Sequence, residues 1–179
     1  PWQPFGGGAN GTVLVMEKLA NGDMLIAGTF TDAGGTAANQ VAIWNGTSFE
    51  ALGAGLQGNV NCALEFNGEI YVGGAMLNGA ADLAKWNGSA WSYQTVFDSK
   101  YPEVTALHEH DGELLAAGAI TGFAGSSYHV ARFDGSDWQP VGSGLNGVIH
   151  ALDTRAGALV AGGAFTGFFM DPNQTLSHV

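Results

Sequence analysis

Two histidines one residue apart, His108 and His110, are the first side chains of this sequence whose type and spacing suit chemistry. In a strand, alternate residues point to the same side, so the two imidazoles share one face and are candidate metal ligands. The plainer reading is a solvent-facing pair beside the Asp111-Gly112 turn. Cys62 is the sole cysteine. That excludes an intrachain disulfide and a CxxC zinc or redox site, and between Asn61 and Ala63 it reads as buried packing. Asp32, Asp82, Asp98, Glu103 and Asp171 fall in expected loops. Two of these carboxylates brought close would suit glycoside hydrolysis; loops carrying Asp, Asn and backbone carbonyls would suit calcium. Scattered solvated acids are the plainer reading here too. No DxDxDG-like string, Gly-x-Ser-x-Gly elbow, HExxH or phosphate loop occurs. The expectation is no cofactor, with calcium the one candidate. Asn-x-Ser/Thr triplets begin at Asn10, Asn45, Asn87 and Asn173; two of them follow from turn chemistry and say nothing about glycosylation.

The elements that would position these residues follow from composition and spacing. Glycine supplies 29 of the 179 residues, charged residues only 12%, and 46% are hydrophobic. Many glycines with aromatics and few charges suggest an all-β protein with tight turns, and argue against a helical bundle, which wants Ala, Leu, Glu and Lys. Five basic residues face 16 acidic ones, for a net charge of -11. A nucleic-acid partner is excluded for want of a basic footprint, and anionic membrane surfaces are disfavoured. No apolar run of about 18 residues is present, so membrane insertion is not expected. The sequence opens at Pro1 without a methionine or a visible signal peptide, which reads as a mature or trimmed product.

A repeat organises the chain. Trp44-Asn45-Gly46, Trp86-Asn87-Gly88 and Phe133-Asp134-Gly135 each have an alanine two residues earlier and an aromatic (Phe49, Trp91, Trp138) three residues after the glycine. Glycines six apart recur at Gly22/Gly28, Gly68/Gly74, Gly112/Gly118 and Gly157/Gly163, each pair preceded by a valine: Val13, Val60, Val104, Val148. One unit reads as strand A (60–66), a tight turn at Asn67-Gly68, strand B (69–75), a longer connection, strand C (82–86), a tight turn at Asn87-Gly88, and strand D (90–94). The small residues Ala63, Gly73, Gly74 and Ala75 would let neighbouring units approach closely. Four-stranded antiparallel units of this length are the signature of β-propeller blades, with a β-helix as runner-up. The expected division is a single propeller: strand D of a closing blade at 1–6, blades at 11–52, 58–96 and 103–141, and a partial blade at 147–179. About four blades fall in this chain, and it reads as part of a larger ring. His129 and His178 sit at equivalent repeat positions, which marks a structural place. The repeat stops in mid-strand at Ser177-His178-Val179. A piece of a longer propeller, a four-bladed ring and half of a dimer-built ring all stay open, the first favoured.

The string formed by Phe49, Leu52-Gly53, Gly55, Gly58, Val60, Ala63-Leu64, Gly68, Ile70, Val72-Gly73-Gly74, Ala84 and Trp86-Asn87-Gly88 resembles the tandem blades of secreted bacterial propeller proteins. Phe30-Thr31 and Phe165-Thr166 belong to the same pattern. Many such proteins are type IX secretion cargo of Bacteroidetes; the kelch and galactose-oxidase-like propellers are similar more loosely. The third unit departs, with residues 96–101 in place of the Leu-Gly-x-Gly step. The resemblance implies an extracellular or cell-surface repeat module. Copper chemistry of the galactose-oxidase kind would need a Cys–Tyr crosslink, which Cys62 as a packing residue does not offer.

In such a blade the A–B and C–D turns lie on one side and the B–C and D–A connections on the other. The first set is short and uniform; the second (31–40, 77–81, 121–127, 166–175) is long and variable, and variable loops on a rigid scaffold are where binding sits. Candidate ligand residues are the aromatics Phe123, Tyr128, Phe168 and Phe169 with the polar Asp32, Asn39, Asn78, Asp82 and Asp171. The expected function is a non-catalytic binding or assembly module. Its expected partner is a glycan or a protein, with self-association or further blades of the same chain also open. A propeller hydrolase or lyase is the alternative, with Asp98, Lys100, Tyr101, Glu103, His108 and His110 as its candidate residues. A structural repeat of an adhesin or filament is the third reading.

Overall fold

A computed structural model describes residues 5–97, 102–120, 129–168 and 171–175, with Phe168 and the last five by backbone alone. Every helix or strand among them is a strand. The chain divides into two compact units, Pro1–Gln94 and Thr95–Val179.

The first unit holds β1 (Val13–Lys18), β2 (Met24–Gly28), β3 (Asp32–Ala33), β4 (Thr36–Ala37), β5 (Val41–Trp44), β6 (Phe49–Ala51), β7 (Asn59–Phe66), β8 (Glu69–Leu77), β9 (Ala81–Trp86) and β10 (Trp91–Gln94). It makes two four-stranded antiparallel sheets, ordered β1-β2-β5-β6 and β7-β8-β9-β10, with β3 and β4 a small hairpin between β2 and β5. The second unit holds β11 (Glu103–His110), β12 (Glu113–Ala119), β13 (Val130–Phe133), β14 (Trp138–Pro140), β15 (Ile149–Arg155), β16 (Ala158–Gly163), β17 (Gly167–Phe168) and β18 (Asp171–Thr175). It makes one four-stranded sheet, β11-β12-β13-β14, and two-stranded sheets β15-β16 and β17-β18. The expected A-B-C-D order is therefore found three times. Strand B of the second sheet runs on to Leu77 and pairs there with Ala81, so the connection expected to be long is a tight turn.

Asparagine-glycine does two different jobs in the turns. Between β7 and β8, Asn67 (φ 52) and Gly68 (φ 77) both take the left-handed conformation, as a two-residue hairpin of this twist requires. Between β9 and β10 the loop is four residues long. Asn87 Oδ1 accepts from the backbone N–H of Ser89 and Ala90, both at 3.0 Å, and only Gly88 has positive φ. Asn45 and Asp134 close the corresponding loops in the same way. The expected tight turn at Asn87-Gly88 is thus a side-chain-capped loop.

Each A–B ladder slips by one residue at the same place. Leu14, Asn61, Thr105 and His150 are the extra residues, just after Val13, Val60, Val104 and Ile149. The bulge presses a strand-A carbonyl onto the glycine opposite.

The sheets stack in a regular sense. Val15, Leu25, Ala27, Val41 and Ile43, on the back of the first sheet, share one apolar cluster with Val60, Ala63, Ile70, Val72 and Ala84 on the front of the second. In the second unit Ala106, Ala117 and Val130, on the back of β11-β12-β13, pack with Ile149, Leu152 and Ala161 on the front of β15-β16. A cross-strand aromatic pair stands at the outer end of each four-stranded sheet, Trp44/Phe49, Trp86/Trp91 and Phe133/Trp138, with ring centroids 4.9, 5.3 and 5.4 Å apart. Phe5 covers the first pair. The Trp91 Nε1–H donates to the Leu52 carbonyl at 2.8 Å. Phe97, 1% exposed, lies 6.4 Å from Trp138. Phe97 thus stands by the aromatic pair of the third sheet as Leu52 stands by that of the second; residues 98–101 of that departure lie outside the described residues. Among the described residues no helix is long and apolar enough to cross a membrane.

Candidate functional site

In the first unit the B–C and D–A connections meet on one side, and in the second the connection before β15 meets residues 166–167 in the same way. In the first unit the Asn10 side chain is a clamp. Its Oδ1 accepts from Thr31 N at 2.8 Å and Asp32 N at 3.0 Å, and its Nδ2 donates to Thr31 Oγ1 at 2.9 Å. Asn146 repeats the set in the second unit, taking Thr166 N and Gly167 N and donating to Thr166 Oγ1. This explains the Phe-Thr element: the phenylalanine is buried (Phe30 0%, Phe165 6%) and the threonine is held from outside. In the second sheet Gln57 stands in the place of Asn10, and, counted from Gly74 as from Gly28, Leu77 stands in the place of Thr31 and Asn78 in that of Asp32. There the Asn78 backbone N–H donates to the Gln57 carbonyl at 2.9 Å, and the short turn results.

The candidate ligand residues fare unequally. Asp32 opens β3, and its Oδ1 accepts from Gly35 N at 3.0 Å. Asn39 is exposed and donates from Nδ2 to the Ala54 carbonyl at 2.9 Å, while its own carbonyl accepts from Leu56 N. Both belong to the connection between β2 and β5. Asn78 is exposed with φ 48, at the tight turn between β8 and β9. Asp82 is not a loop residue: it sits inside β9 at 0% exposure. Glu103 and Asp171 likewise lie in strands, β11 and β18, and Asp171 pairs with Phe168 across the β17–β18 hairpin. Phe123, Tyr128 and Phe169 lie outside the described residues, as do Asp98, Lys100, Tyr101 and His178.

Asp82 immediately precedes Leu83, as Gln40 precedes Val41 and His129 precedes Val130. The three hold one repeat position, inside strand C in the second sheet and just before it in the first and third. His129 is 7% exposed with φ 55, and its Nδ1 lies 3.0 Å from the Gly118 carbonyl. Gln40, φ 66, donates from Nε2 to Gly58 O at 2.8 Å. The position is a polar anchor for the edge of strand C, in keeping with the structural place expected of His129.

The two histidines of β11 converge on a residue that spacing did not reveal. His108 Nε2 lies 2.8 Å and His110 Nδ1 2.9 Å from the Thr154 hydroxyl of β15, and His110 Nε2 stands 3.5 Å from Asp111 Oδ2. The hydroxyl has one proton to give, so at least one ring must donate to it. Both rings thereby spend a nitrogen on joining two sheets. Among the described residues, no group of three or more His, Cys, Asp or Glu side chains could hold a metal ion.

Titration behaviour is perturbed mainly inside the sheets. Burial pushes the Cys62 thiol up to about 12, opposed by a hydrogen bond with the Gly73 backbone, which removes it from thiolate chemistry at neutral pH. Tyr71 is raised to about 12 by burial, then by the charge of Glu69 and the hydrogen bond its hydroxyl donates there. Glu17 is raised by burial and then by Glu65. Glu69 also pairs with Lys85 at 3.0 Å, and Glu113 with Arg132 in the third sheet, one ion pair in two copies. No protein-family model matches the chain, and no curated protein matches it in sequence.

Proposed function

We propose that this chain is a β-propeller module of a secreted or cell-surface protein that binds a glycan or protein on the side of its long connections, without catalysis. The observation that carries the reading is the contrast between the two sides. The capped C–D loops are alike in three sheets, while the B–C connection is a hairpin in the first sheet and a tight turn in the second. A constant scaffold with a divergent rim is the usual geometry of recognition. Propeller architecture is supported by the repeated A-B-C-D order and the front-to-back stacking. A glycoside hydrolase of the usual kind needs two carboxylates free to face one bond. Against it, Asp32 caps its own hairpin and Asp82 is enclosed in a strand.

A glycan array and a cell-surface protein panel, probed with the wild-type chain and with Asp32→Ala and Asn39→Ala, test the binding reading. Binding that falls at least about tenfold in either variant, with the fold intact by circular dichroism, supports it. No ligand from either panel, or binding indifferent to both substitutions, removes it. Electron microscopy of the purified chain tests the architecture through its characteristic radial view.

A further inference from the structure

Seven asparagines of this chain precede a glycine: Asn10, Asn21, Asn45, Asn67, Asn78, Asn87 and Asn146. That pairing suits a self-modification. The backbone nitrogen of the next residue attacks the side-chain carbonyl carbon of the asparagine, and glycine has no side chain to block the approach. All seven asparagines are exposed, so access to water does not sort them. Hydrogen bonding does, because the amide has to turn toward the following nitrogen, and that nitrogen has to be released from any bond of its own.

Five of the amides are held. Asn10 and Asn146 each accept from two backbone N–H groups and donate to a threonine hydroxyl. The glycines after them are also crowded: a β-carbon on Gly11 would stand 2.8 Å from Phe30 Cα, and one on Gly147 would stand 2.1 Å from the Ala164 carbonyl oxygen. Asn45 and Asn87 each accept from two N–H groups of their own loops. Asn21 accepts from Asp23 N at 3.0 Å and donates to Asp23 Oδ2 at 2.7 Å, and the Gly22 N–H donates to the Leu19 carbonyl at 2.9 Å.

Asn67 and Asn78 differ from these. Neither side chain makes a hydrogen bond among the described residues. At Asn78 the backbone is tied instead, with Asn78 N–H on the Gln57 carbonyl and Gly79 N–H on the Met76 carbonyl, both at 2.9 Å. At Asn67 the backbone is not tied in this way. The Gly68 N–H donates to no described residue, and nothing stands within 4 Å of the Gly68 β-carbon position. The two-residue turn between β7 and β8 therefore has open space to rotate into.

We infer that Asn67 is a site of spontaneous deamidation, the most reactive of the seven in the folded chain. The Gly68 nitrogen bonds to Asn67 Cγ, the Cγ–Nδ2 bond breaks, and ammonia leaves with the proton that the Gly68 nitrogen gives up. The cyclic imide left behind takes up one water. Opening at Cγ yields aspartate; opening at the backbone carbonyl carbon yields isoaspartate, with the chain then running through the side chain. Either product places a new negative charge between Glu65 and Glu69 in a chain already at -11. Isoaspartate also adds a backbone methylene to a hairpin whose loop length selects its turn type, at the end where Phe66 pairs with Glu69.

Mass spectrometry tests this on the folded chain incubated in heavy-oxygen water at body temperature and mildly alkaline pH, then digested at acid pH. Heavy oxygen marks only the conversions that occur during the incubation. Asn67 is expected to convert first and Asn78 next. The five held asparagines follow about tenfold or more slowly, since two hydrogen bonds must break before each reacts. In urea all seven are expected to convert at similar rates, because each has the same glycine neighbour. Gly68→Ala, with its fold checked by circular dichroism, is expected to slow Asn67 and to leave Asn78 unchanged. Any of the other six reacting as fast as Asn67 in the folded chain overturns the inference. So does a rank order that persists in urea, or a Gly68→Ala chain in which Asn67 converts at the wild-type rate.

Discussion

The carbonyl oxygen of Asn59 lies 1.9 Å from the point where a β-carbon on Gly74 would stand. The same encounter recurs between Thr12 and Gly28 at 2.0 Å, Glu103 and Gly118 at 2.0 Å, and Val148 and Gly163 at 2.2 Å. None of these glycines has positive φ, so the requirement is room and not backbone conformation. The cause is the bulge at Asn61 and its equivalents, which drives strand A onto strand B.

Gly74→Ala and Gly118→Ala are therefore expected to lose about 2–4 kcal/mol, because a backbone carbonyl cannot swing aside as a side chain can. Gly68→Ala is expected to lose only about 1 kcal/mol, the cost of a left-handed conformation; nothing lies within 4 Å of its β-carbon position. Urea denaturation compares the three. Equal losses at Gly68 and Gly74 would show that the bulge yields.

The capped loop predicts an interchangeable pair. Asn87→Asp is expected to keep stability within about 0.5 kcal/mol at neutral pH, since Asp134 performs the same capping, whereas Asn87→Ala loses about 1 kcal/mol. The aspartate variant also gains a pH dependence. Asp134 is held below its ordinary pKa by the backbone N–H groups of Asp137 and Ser136. A carboxylate so placed adds stability above its unfolded pKa and loses it as pH falls through the folded one. Thermal melts between neutral pH and the low carboxylate range check this, with no such added dependence expected of Asn87 itself.

Glu17 carries the opposite sign. Its pKa is raised, first by burial and then by Glu65. The folded chain thus holds this proton to higher pH than the unfolded chain, and stability falls as pH rises through that interval. Glu17→Gln is expected to raise the melting temperature at neutral pH and to leave it unchanged at a pH where Glu17 is protonated in both states. Equal gains at both pH values would trace the effect to packing instead of charge.

Phe97 takes the place that Leu52 holds in the second sheet. Phe97→Leu should cost about 1 kcal/mol and Phe97→Ala about 3–5 kcal/mol, read by denaturation with Trp138 fluorescence as the local reporter. A Phe97→Leu loss as large as that of alanine would mean that the cap depends on an aromatic ring.

Much of the fold was legible in the residues. Strand A of the second sheet was expected at 60–66 and observed at Asn59–Phe66, because valine, alternation and the Asn67-Gly68 turn all act within a few residues. The candidate site was legible only in part. Asp82 looks like a loop acid because it follows Gly79 and two alanines, yet β8 extends far enough to pair Leu77 with Ala81 and draws it into the sheet. Thr154 carries no signal at all in sequence, since its partners lie 46 and 44 residues away on another sheet.

By itself, then, the sequence determined the strands, their order within each sheet and the turn glycines, all products of local chemistry repeated along the chain. Tertiary structure alone decided the rest. Strand pairing beyond the expected end of β8 drew Asp82 into a sheet; stacking joined His108 and His110 to Thr154 and set Glu17 toward Glu65. Stacking brings together residues some 45 positions apart through bulges and twist, and no spacing along a single strand encodes which of them will touch.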